Sequence, residues 1–574
     1  MKLISMTVKN FRGIKGENTK ISFEGSDIIF LLGQNNAGKS TILTAYEYLV
    51  TPKQKATISD FFGYSEQNPI EIEAVFKKEP IDEEVFKKKG FDKWVEEQSS
   101  LIRFRKRWTN LGVEGKKETW NPEEGDYVDN GFGGLETHFT KHAPTPIRIP
   151  AMSNPDELSK WISDIIKKTV LAKLKTEEEE TYTKLLNDVT AFQEKILSKE
   201  SVTKLSESAN INFKKVFPYL SIEVSPDFGT EIDLAKTFEK DFSVTIRDSR
   251  LDNINQNFNS HGHGVIRQTM FNFLGLVKNE LPVNRNSSEQ SKEFIILFEE
   301  PEIYLHPKAI NSLRKVLYEL CNNSPFQILC ASHSPSLIDI SKPQTSLVRV
   351  VKDDTLETSI YQVEHNLFTG SDERKKQVQM INRFNPYVCE SFFSDEVIIV
   401  EGDTEAIVIR ELLSQLASER DIFVLNSGSK NNIPFFQEIF TFFHIKHFVI
   451  HDSDTPYLYN NAGIVIKNND GTDRKNSAWK LNDEIWNEIL KANSSSPMLA
   501  RRFVHIPNFE VAHNYKYDKD KGKPLSAFEF VQTIKTDENI PIVNFVKYLI
   551  LNEPQLDEFT QENLQYHFQQ QVVE

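Results

Sequence analysis

The chain opens with alternating polar and apolar positions and then runs into five consecutive apolar residues, Ile28-Ile29-Phe30-Leu31-Leu32. The alternation predicts one strand over residues 3–12, including Asn10-Phe11-Arg12, and another over 20–23. The apolar run predicts a short strand buried on both faces. A helix is expected from Thr41-Ile42-Leu43 onward. Residues 70–110 carry more strand pattern and end in Arg103-Phe104-Arg105-Lys106-Arg107-Trp108. Between about 154 and 213 the period lengthens. Leu185, Val189, Phe192 and Ile196 recur at helical spacing behind Glu177-Glu178-Glu179-Glu180, which predicts long amphipathic helices. Strand pattern resumes at 219–247, and two apolar strands at 294–298 and 326–331 flank a helix. A polar stretch at 371–377 reads as a linker. A second α/β pattern follows, with strands at 397–400, 422–425 and 447–451 and helices at 404–417 and 433–443. No internal repeat is evident.

Composition narrows the class. The 574 residues are 39% hydrophobic and 26% charged, which describes a globular protein of several domains. No apolar run reaches the roughly 20 residues that span a bilayer, and no signal-peptide pattern opens the chain. Three scattered cysteines, Cys321, Cys330 and Cys389, exclude a disulfide framework and a cysteine-rich zinc site. A cytoplasmic protein is expected. With 83 acidic against 68 basic side chains the net charge is −15, which weighs against a broad nucleic-acid-binding face.

Gly33-Gln34-Asn35-Asn36-Ala37-Gly38-Lys39-Ser40, between the buried strand and the helix, fits the phosphate-binding pattern G-x-x-x-x-G-K-[ST]. Backbone N–H groups of such a loop, from Gly33 through Thr41, wrap the phosphates of ATP. Lys39 reaches the β- and γ-phosphates, Ser40 holds Mg2+, and the helix turns its positive end to the anion. Phe298-Glu299-Glu300-Pro301-Glu302, at the end of a strand expected to neighbour the loop, supplies carboxylates. Glu299 would orient Mg2+ and Glu300 would polarise the attacking water. His333, in Ser332-His333-Ser334-Pro335 after the next strand, is placed to contact the γ-phosphate. Together with Asn10-Phe11-Arg12 and Ile303-Tyr304-Leu305-His306-Pro307, these residues resemble ABC-type ATPases of the SMC and recombination-repair class. That resemblance implies a signature segment that caps the partner's ATP in a face-to-face homodimer. Ser260-His261-Gly262-His263-Gly264 is the candidate, through Ser260, Gly262 and Gly264, although it departs from the family's Leu-Ser-Gly-Gly pattern. It also implies that the helical segment holds the two copies together.

The second constellation is built of carboxylates. Val397-Ile398-Ile399-Val400-Glu401-Gly402-Asp403-Thr404-Glu405 places one glutamate at a strand end and another on the first helical turn, four residues on. Phe448-Val449-Ile450-His451-Asp452-Ser453-Asp454 ends a second strand in D-x-D, whose aspartates project together. Carboxylates gathered at one edge of a parallel sheet suit Mg2+ or Mn2+, and two such ions can cleave a phosphodiester. The combination resembles a TOPRIM domain. ABC ATPase followed by TOPRIM resembles the overcoming-lysogenisation-defect (OLD) family of nucleases. It implies an ATPase head at 1–153 and 216–370, a helical dimerisation insertion at 154–215, a linker at 371–390 and a Rossmann-like TOPRIM domain at 391–574. It further implies a downstream acidic ligand, for which Glu510 is the candidate, and a lysine near the scissile phosphate, Lys523 or Lys547. Ser427-Gly428 is a weaker candidate for backbone approach to a phosphate.

For DNA contact the candidates are Arg103, Arg105 and Arg107 on one strand face, and the cluster Arg501, Arg502, Lys516, Lys519, Lys521 and Lys523. The expected activity is metal-dependent DNA endonuclease under ATPase control, in bacterial anti-phage defence and with a second defence component as a possible partner. The competing expectation is an ATP-gated repair or sensor ATPase whose TOPRIM domain binds DNA without cutting it. Part of the excess negative charge is then the ligand set itself.

Overall fold

A computed structural model describes residues 1–16, 19–129, 142–151, 199–226, 242–248, 250, 256–257, 261–280, 294–322, 326–339, 342, 345–353, 355–363, 386–416, 420–460, 462–536, 539–551 and 560–571. Two compact units emerge, one built on residues 1–360 and the other on residues 380–574.

The first unit begins β1 (Lys2–Lys9), β2 (Lys20–Ser22), β3 (Ile28–Leu32), α1 (Lys39–Val50), β4 (Ile70–Lys77), β5 (Leu101–Trp108), β6 (Lys116–Asn121), β7 (Asp126–Asp129) and β8 (Thr145–Ile149). It continues with α2 (Lys199–Val216), β9 (Leu220–Pro226), β10 (Phe242–Asp248), β11 (Gln256–Asn257), α3 (His263–Glu280), β12 (Phe294–Glu299), α4 (Pro307–Leu320), β13 (Phe326–Ala331), β14 (Thr345–Lys352) and β15 (Thr358–Gln362). One six-stranded sheet has the order β2-β1-β4-β5-β6-β7 and is antiparallel. A second has the order β15-β14-β3-β13-β12-β8, and its pairs from β14 to β8 are parallel. All five residues of β3 are buried, as a strand covered on both faces requires. Gln327 on β13 exchanges two hydrogen bonds with the backbone of Leu3 on β1, 2.8 and 2.9 Å, and so fixes one sheet against the other.

Three local expectations change. The first strand ends at Lys9, because Asn10 and Arg12 both take left-handed backbone, at φ 54°, and break the ladder. Phe11 between them is fully buried, and Arg12 Nε donates to Asp60 Oδ1 at 3.1 Å. The helix after the loop starts at Lys39, two residues earlier than expected, because the left-handed turn needed to enter it falls on Gly38. The carboxylate strand β12 is not the neighbour of β3. Strand β13, carrying Ser332 and His333 at its end, lies between them.

Of the helical segment expected at 154–215, residues 154–198, with Leu185, Val189, Phe192 and Ile196, lie outside the described residues; from Lys199 the chain is helical. Of the expected linker, 371–385 lie outside the described residues. Residues 386–393 form a short helix in which Val388, Cys389 and Phe392 are buried, so the chain is packed there.

The second unit contains β16 (Glu396–Val400), α5 (Asp403–Gln415), β17 (Ile422–Asn426), α6 (Ile433–Phe442), β18 (Lys446–Asp452), α7 (Ser477–Ser495), β19 (Ala500–His505), α8 (Phe509–Ala512), α9 (Gly522–Thr533), α10 (Pro541–Leu551) and α11 (Gln561–Gln571). Its sheet, β17-β16-β18-β19, is parallel throughout. The chain leaves β16 to one side and returns to β18 on the other, so a crevice opens at the carboxyl ends of β16 and β18.

Between Asp454 and α7 lies a small exposed lobe with an eight-residue repeat that the hydrophobic pattern did not reveal. Leu458 N–H donates to Arg474 O, Ile466 N–H to Leu458 O, and Arg474 N–H to Ile466 O, at 2.8–2.9 Å, closing a triangle of three short segments. Asn460 to Gly463 and Asn468 to Gly471 make its turns. A repeat of two to three turns buries too little to register as periodic hydrophobicity.

Candidate functional site

The P-loop is shaped by close backbone approach. Gly33, at φ 143°, lies so near β14 that a Cβ would sit 2.1 Å from Val350 O. Thr358 of β15 donates from Oγ1 to Ala37 O at 3.0 Å. Lys39 is buried, and its Nζ donates to Gly33 O and Gln34 O, both at 2.8 Å. Burial lowers its pKa to about 8, opposed by the charges of Glu300 and Glu302. Gln34, Asn35, Asn36 and Ser40 are exposed at the rim, and Thr41 is half-buried.

The Glu-Glu-Pro-Glu turn divides into three roles. Glu299 at the end of β12 accepts from Arg148 Nη2 at 2.5 Å, and Arg148 also reaches Glu47 at 3.2 Å. Glu300, at φ 42°, donates its N–H to Ala331 O at 2.7 Å, and its Oε1 lies 3.7 Å from His333 Nε2. Glu302 is largely buried and accepts from Ser332 Oγ at 2.9 Å and His333 N–H at 2.8 Å, which locks the histidine loop to the turn. Burial raises the Glu302 carboxyl; burial, with the Lys39 charge, lowers His333 against the pull of Glu300. Arg148 was not anticipated. Its only sequence signal is one basic residue between Ile147 and Ile149.

Ser260 lies outside the described residues. His261 and Gly262 precede α3, and Gly264 sits on its first turn, where a Cβ would meet Tyr304 O at 2.7 Å. The same helix carries Arg267, buried to 3% exposure. Its guanidinium donates to Glu300 O (2.8 Å), Ile303 O (3.1 Å), Pro150 O (2.9 Å) and Ala151 O (2.7 Å). The helix that follows the signature candidate is thereby bonded to the Glu300 turn.

In the second unit Glu401 follows β16, Glu405 lies on the first turn of α5 and Asp452 ends β18. One carboxylate oxygen from each falls within 4.8 Å of the others. Asp452 N–H donates to Glu401 Oε2 at 3.3 Å, and Asp452 Oδ1 accepts from Phe509 N–H at 2.9 Å, which ties α8 to the cluster. Burial raises Glu401 to about 7, against the pull of Lys430. Burial also raises Asp452 to about 8, with repulsion from Glu401, Glu405 and Glu510 adding to it. Glu405 is raised chiefly by burial. Glu510 and Lys523 line the same cavity, about 490 Å3, with Gly428, Ser429, Lys430 and Asp454. Lys547 is not part of its lining. Asp454 stands apart from the three-carboxylate group: its Oδ2 accepts from Lys430 Nζ at 2.7 Å. Lys430 carries no pattern of its own in the sequence, although it follows Ser427-Gly428 by two residues. The donor set is all oxygen, half-buried to buried and mutually repelling, and it fits a hard divalent cation such as Mg2+ or Mn2+ at Glu401, Glu405 and Asp452.

Several residues of the basic strips have acidic or backbone partners of their own. Arg103, Arg105 and Arg107 do share a face, and each lies beside a carboxylate, Glu96 at 2.8 Å, Glu118 at 2.6 Å and Glu71 at 3.6 Å respectively, the last shared with Lys9 and Arg105. Arg502 is 4% exposed and donates to Asn482 O at 3.0 Å, so it supports the fold and offers no charge to a ligand. Lys521 pairs with Glu529.

Comparison with known proteins fits this geometry. The family model for the AAA ATPase domain (AAA_15) matches residues 1–125 and 139–338, more than half of the chain, and the model for the overcoming-lysogenization-defect-like TOPRIM domain matches residues 392–454. The chain belongs to the AAA ATPase domain family and carries an OLD-like TOPRIM domain. The OLD-like chain is 25% identical over 435 residues to the Old nuclease of Escherichia phage P2, covering 72% of this chain and 70% of that protein. It is 26% identical over 243 residues to the OLD nuclease of Thermus scotoductus, covering 42% and 44%. It is 22% identical over 452 residues to Endonuclease GajA of Bacillus cereus, covering 75% and 70%.

Proposed function

We propose that this protein is a metal-dependent DNA endonuclease whose TOPRIM unit breaks phosphodiester bonds under the control of its ATPase unit. The observation that carries the reading is the convergence of Glu401, Glu405 and Asp452 at the crevice of the parallel sheet, with Glu510 and Lys523 in the same cavity wall. The relatives named as nucleases support it. Divalent ions held there would polarise the scissile phosphate and lower the pKa of a water. The protein's own groups do the rest. Lys523 offers positive charge to a phosphate oxygen. Gly428, at φ 72° and with no atom within 4 Å of the point where a Cβ would stand, leaves room for a nucleic-acid backbone. In the ATPase unit Lys39 would exchange its two carbonyl partners for phosphate oxygens, Ser40 and, on leaving Arg148, Glu299 would hold Mg2+, and Glu300 with His333 would orient water at the γ-phosphate. A homodimer of heads, completed by the segment from Ser260 to Gly264, a cytoplasmic location and a role in anti-phage defence, with or without a second component, belong to the same proposal. Among the described residues no helix is long and apolar enough to cross a membrane.

The test is plasmid DNA incubated with Mg2+ or Mn2+, with and without ATP, for wild type and Asp452→Ala. Nicked or linear product from wild type, absent with the variant, is the expected result. Intact supercoiled plasmid under all conditions, or equal cutting by Asp452→Ala, would overturn it and favour a TOPRIM unit that binds without cutting.

A further inference from the structure

Of the five candidate metal ligands at the crevice, Glu401, Glu405, Asp452, Asp454 and Glu510, three gather within reach of one ion. The fourth, Asp454, takes left-handed backbone at φ 58°, its N–H donating to Pro507 O at 2.8 Å. Its Oδ2 meets Lys430 Nζ at 2.7 Å, and the same ammonium donates to Asp452 O at 2.6 Å. Lys430 is 5% exposed and is positioned by a short turn, Lys430–Asn432, whose cap Ser429 accepts from Asn431 N–H. A lysine carried this deep into a polar cavity is held by its partners, since burying an ammonium without them is costly. The geometry gives it two of them, one on each of the D-x-D residues.

We propose that Lys430 is the resident cation of the Asp454 half of the site. Without DNA the unit then takes a single divalent ion, at Glu401, Glu405 and Asp452, and a second ion is admitted only when Lys430 releases Asp454. Lys430 is in this sense a positioning residue: it holds Asp454 away from the first ion and keeps the site from filling before substrate arrives. A phosphodiester entering the cavity brings negative charge that competes for the ammonium, so substrate binding and completion of the metal set are coupled through one side chain. The inference rests on the metal-centre reading of the TOPRIM unit.

The test is Mn2+ binding to the nucleotide-free full chain, followed by the electron paramagnetic resonance signal of free Mn2+. Wild type is expected to bind one ion, and Glu405→Gln to lose it. Lys430→Met, which keeps the aliphatic length and removes the charge, is expected to bind two. Asp454→Asn is expected to remain at one, with affinity within about threefold of wild type, and serves as the informative variant if Lys430→Met does not fold. Two ions in wild type, one ion in a folded Lys430→Met, or loss of the single ion in Asp454→Asn would each overturn the proposal. Metal-dependent cutting with two ions in wild type sinks only this inference. No ion bound and no cutting sinks the nuclease reading beneath it.

Discussion

Replacing Arg267 with methionine keeps most of the buried stem and removes the guanidinium that bonds four backbone carbonyls. Hydrogen bonds to charged groups contribute roughly 1.5–3 kcal/mol each. They do not add simply, and the cost of burying the guanidinium is recovered when it goes. The four carbonyls belong to half-buried residues, and Glu300 O keeps the Ile303 N–H at 3.1 Å, so a net loss of about 2–4 kcal/mol is expected. In a unit of about 360 residues that lowers the melting temperature by roughly 3–5 °C. A second effect is local. Glu300 sits at φ 42°, a conformation that costs a non-glycine residue on the order of 1–3 kcal/mol and persists only where its surroundings enforce it. Arg267 bonds the carbonyl of that residue. Without it the turn relaxes and Glu300 loses its aim, which predicts a fall in ATP turnover of roughly 10- to 100-fold, about 1.4–2.7 kcal/mol in the barrier. Nucleotide affinity, set by the P-loop, should change less than about threefold. Thermal melts, a coupled ATPase assay and titration with a fluorescent ATP analogue read the three quantities separately. Arg267→Lys should recover part of the melt but little of the turnover, because an ammonium cannot span four acceptors as the planar fork does. Turnover within twofold of wild type in a stably folded Arg267→Met would refute the positioning role, and an unchanged melt would refute the energetics.

Other perturbations separate neighbouring residues. Gly264→Ala should lower both the melt and ATP turnover, since its Cβ would sit 2.7 Å from Tyr304 O, whereas Gly262→Ala, with open space around it, should melt within about 1 °C of wild type. Lys523→Ala should slow plasmid cleavage by roughly 100-fold and Lys547→Ala by less than threefold, because the cavity wall includes only the first; equal effects would refute that assignment. Asp60 is buried, and burial alone would raise its carboxyl. The Thr57 hydroxyl (2.7 Å), the Thr57 N–H (2.9 Å) and Arg12 outweigh burial and hold it below its usual 3.8. A depressed folded pKa stabilises above the unfolded value and is lost as pH falls through the folded one. Asp60→Asn should therefore cost about 1–2 kcal/mol at pH 7, with the gap in melting temperature narrowing as the pH falls below 3.8; a gap that stays constant or widens as the pH falls would contradict this.

Much was legible along the chain because it depends on neighbours in sequence. The five apolar residues of β3, the glycines and lysine of the P-loop, and Glu401 four residues before Glu405 are local patterns with local physical causes. So is the D-x-D at the end of β18. Together they were enough to place an ATPase pattern ahead of a TOPRIM pattern. The tertiary structure alone decided what each charge faces. Alternation put Arg103, Arg105 and Arg107 on one face, but the pairing of β5 with β4 and β6 set Glu71 and Glu118 against them. Lys106, one residue from each of Arg105 and Arg107, became a buried cap on the last carbonyls of α1, bonding Tyr48 O and Thr51 O at 3.0 and 2.8 Å. Lys430 and Asp454 lie 24 residues apart in different loops, and Arg148 lies 151 residues from Glu299. No spacing rule joins such pairs, because their contact is made by strand order: β16 between β17 and β18, and β8 beside β12. Sequence thus determined which chemical groups are present and which local frames carry them. The order in which the strands assemble determined which charges cancel, and which remain for a nucleotide, a metal ion or a phosphodiester.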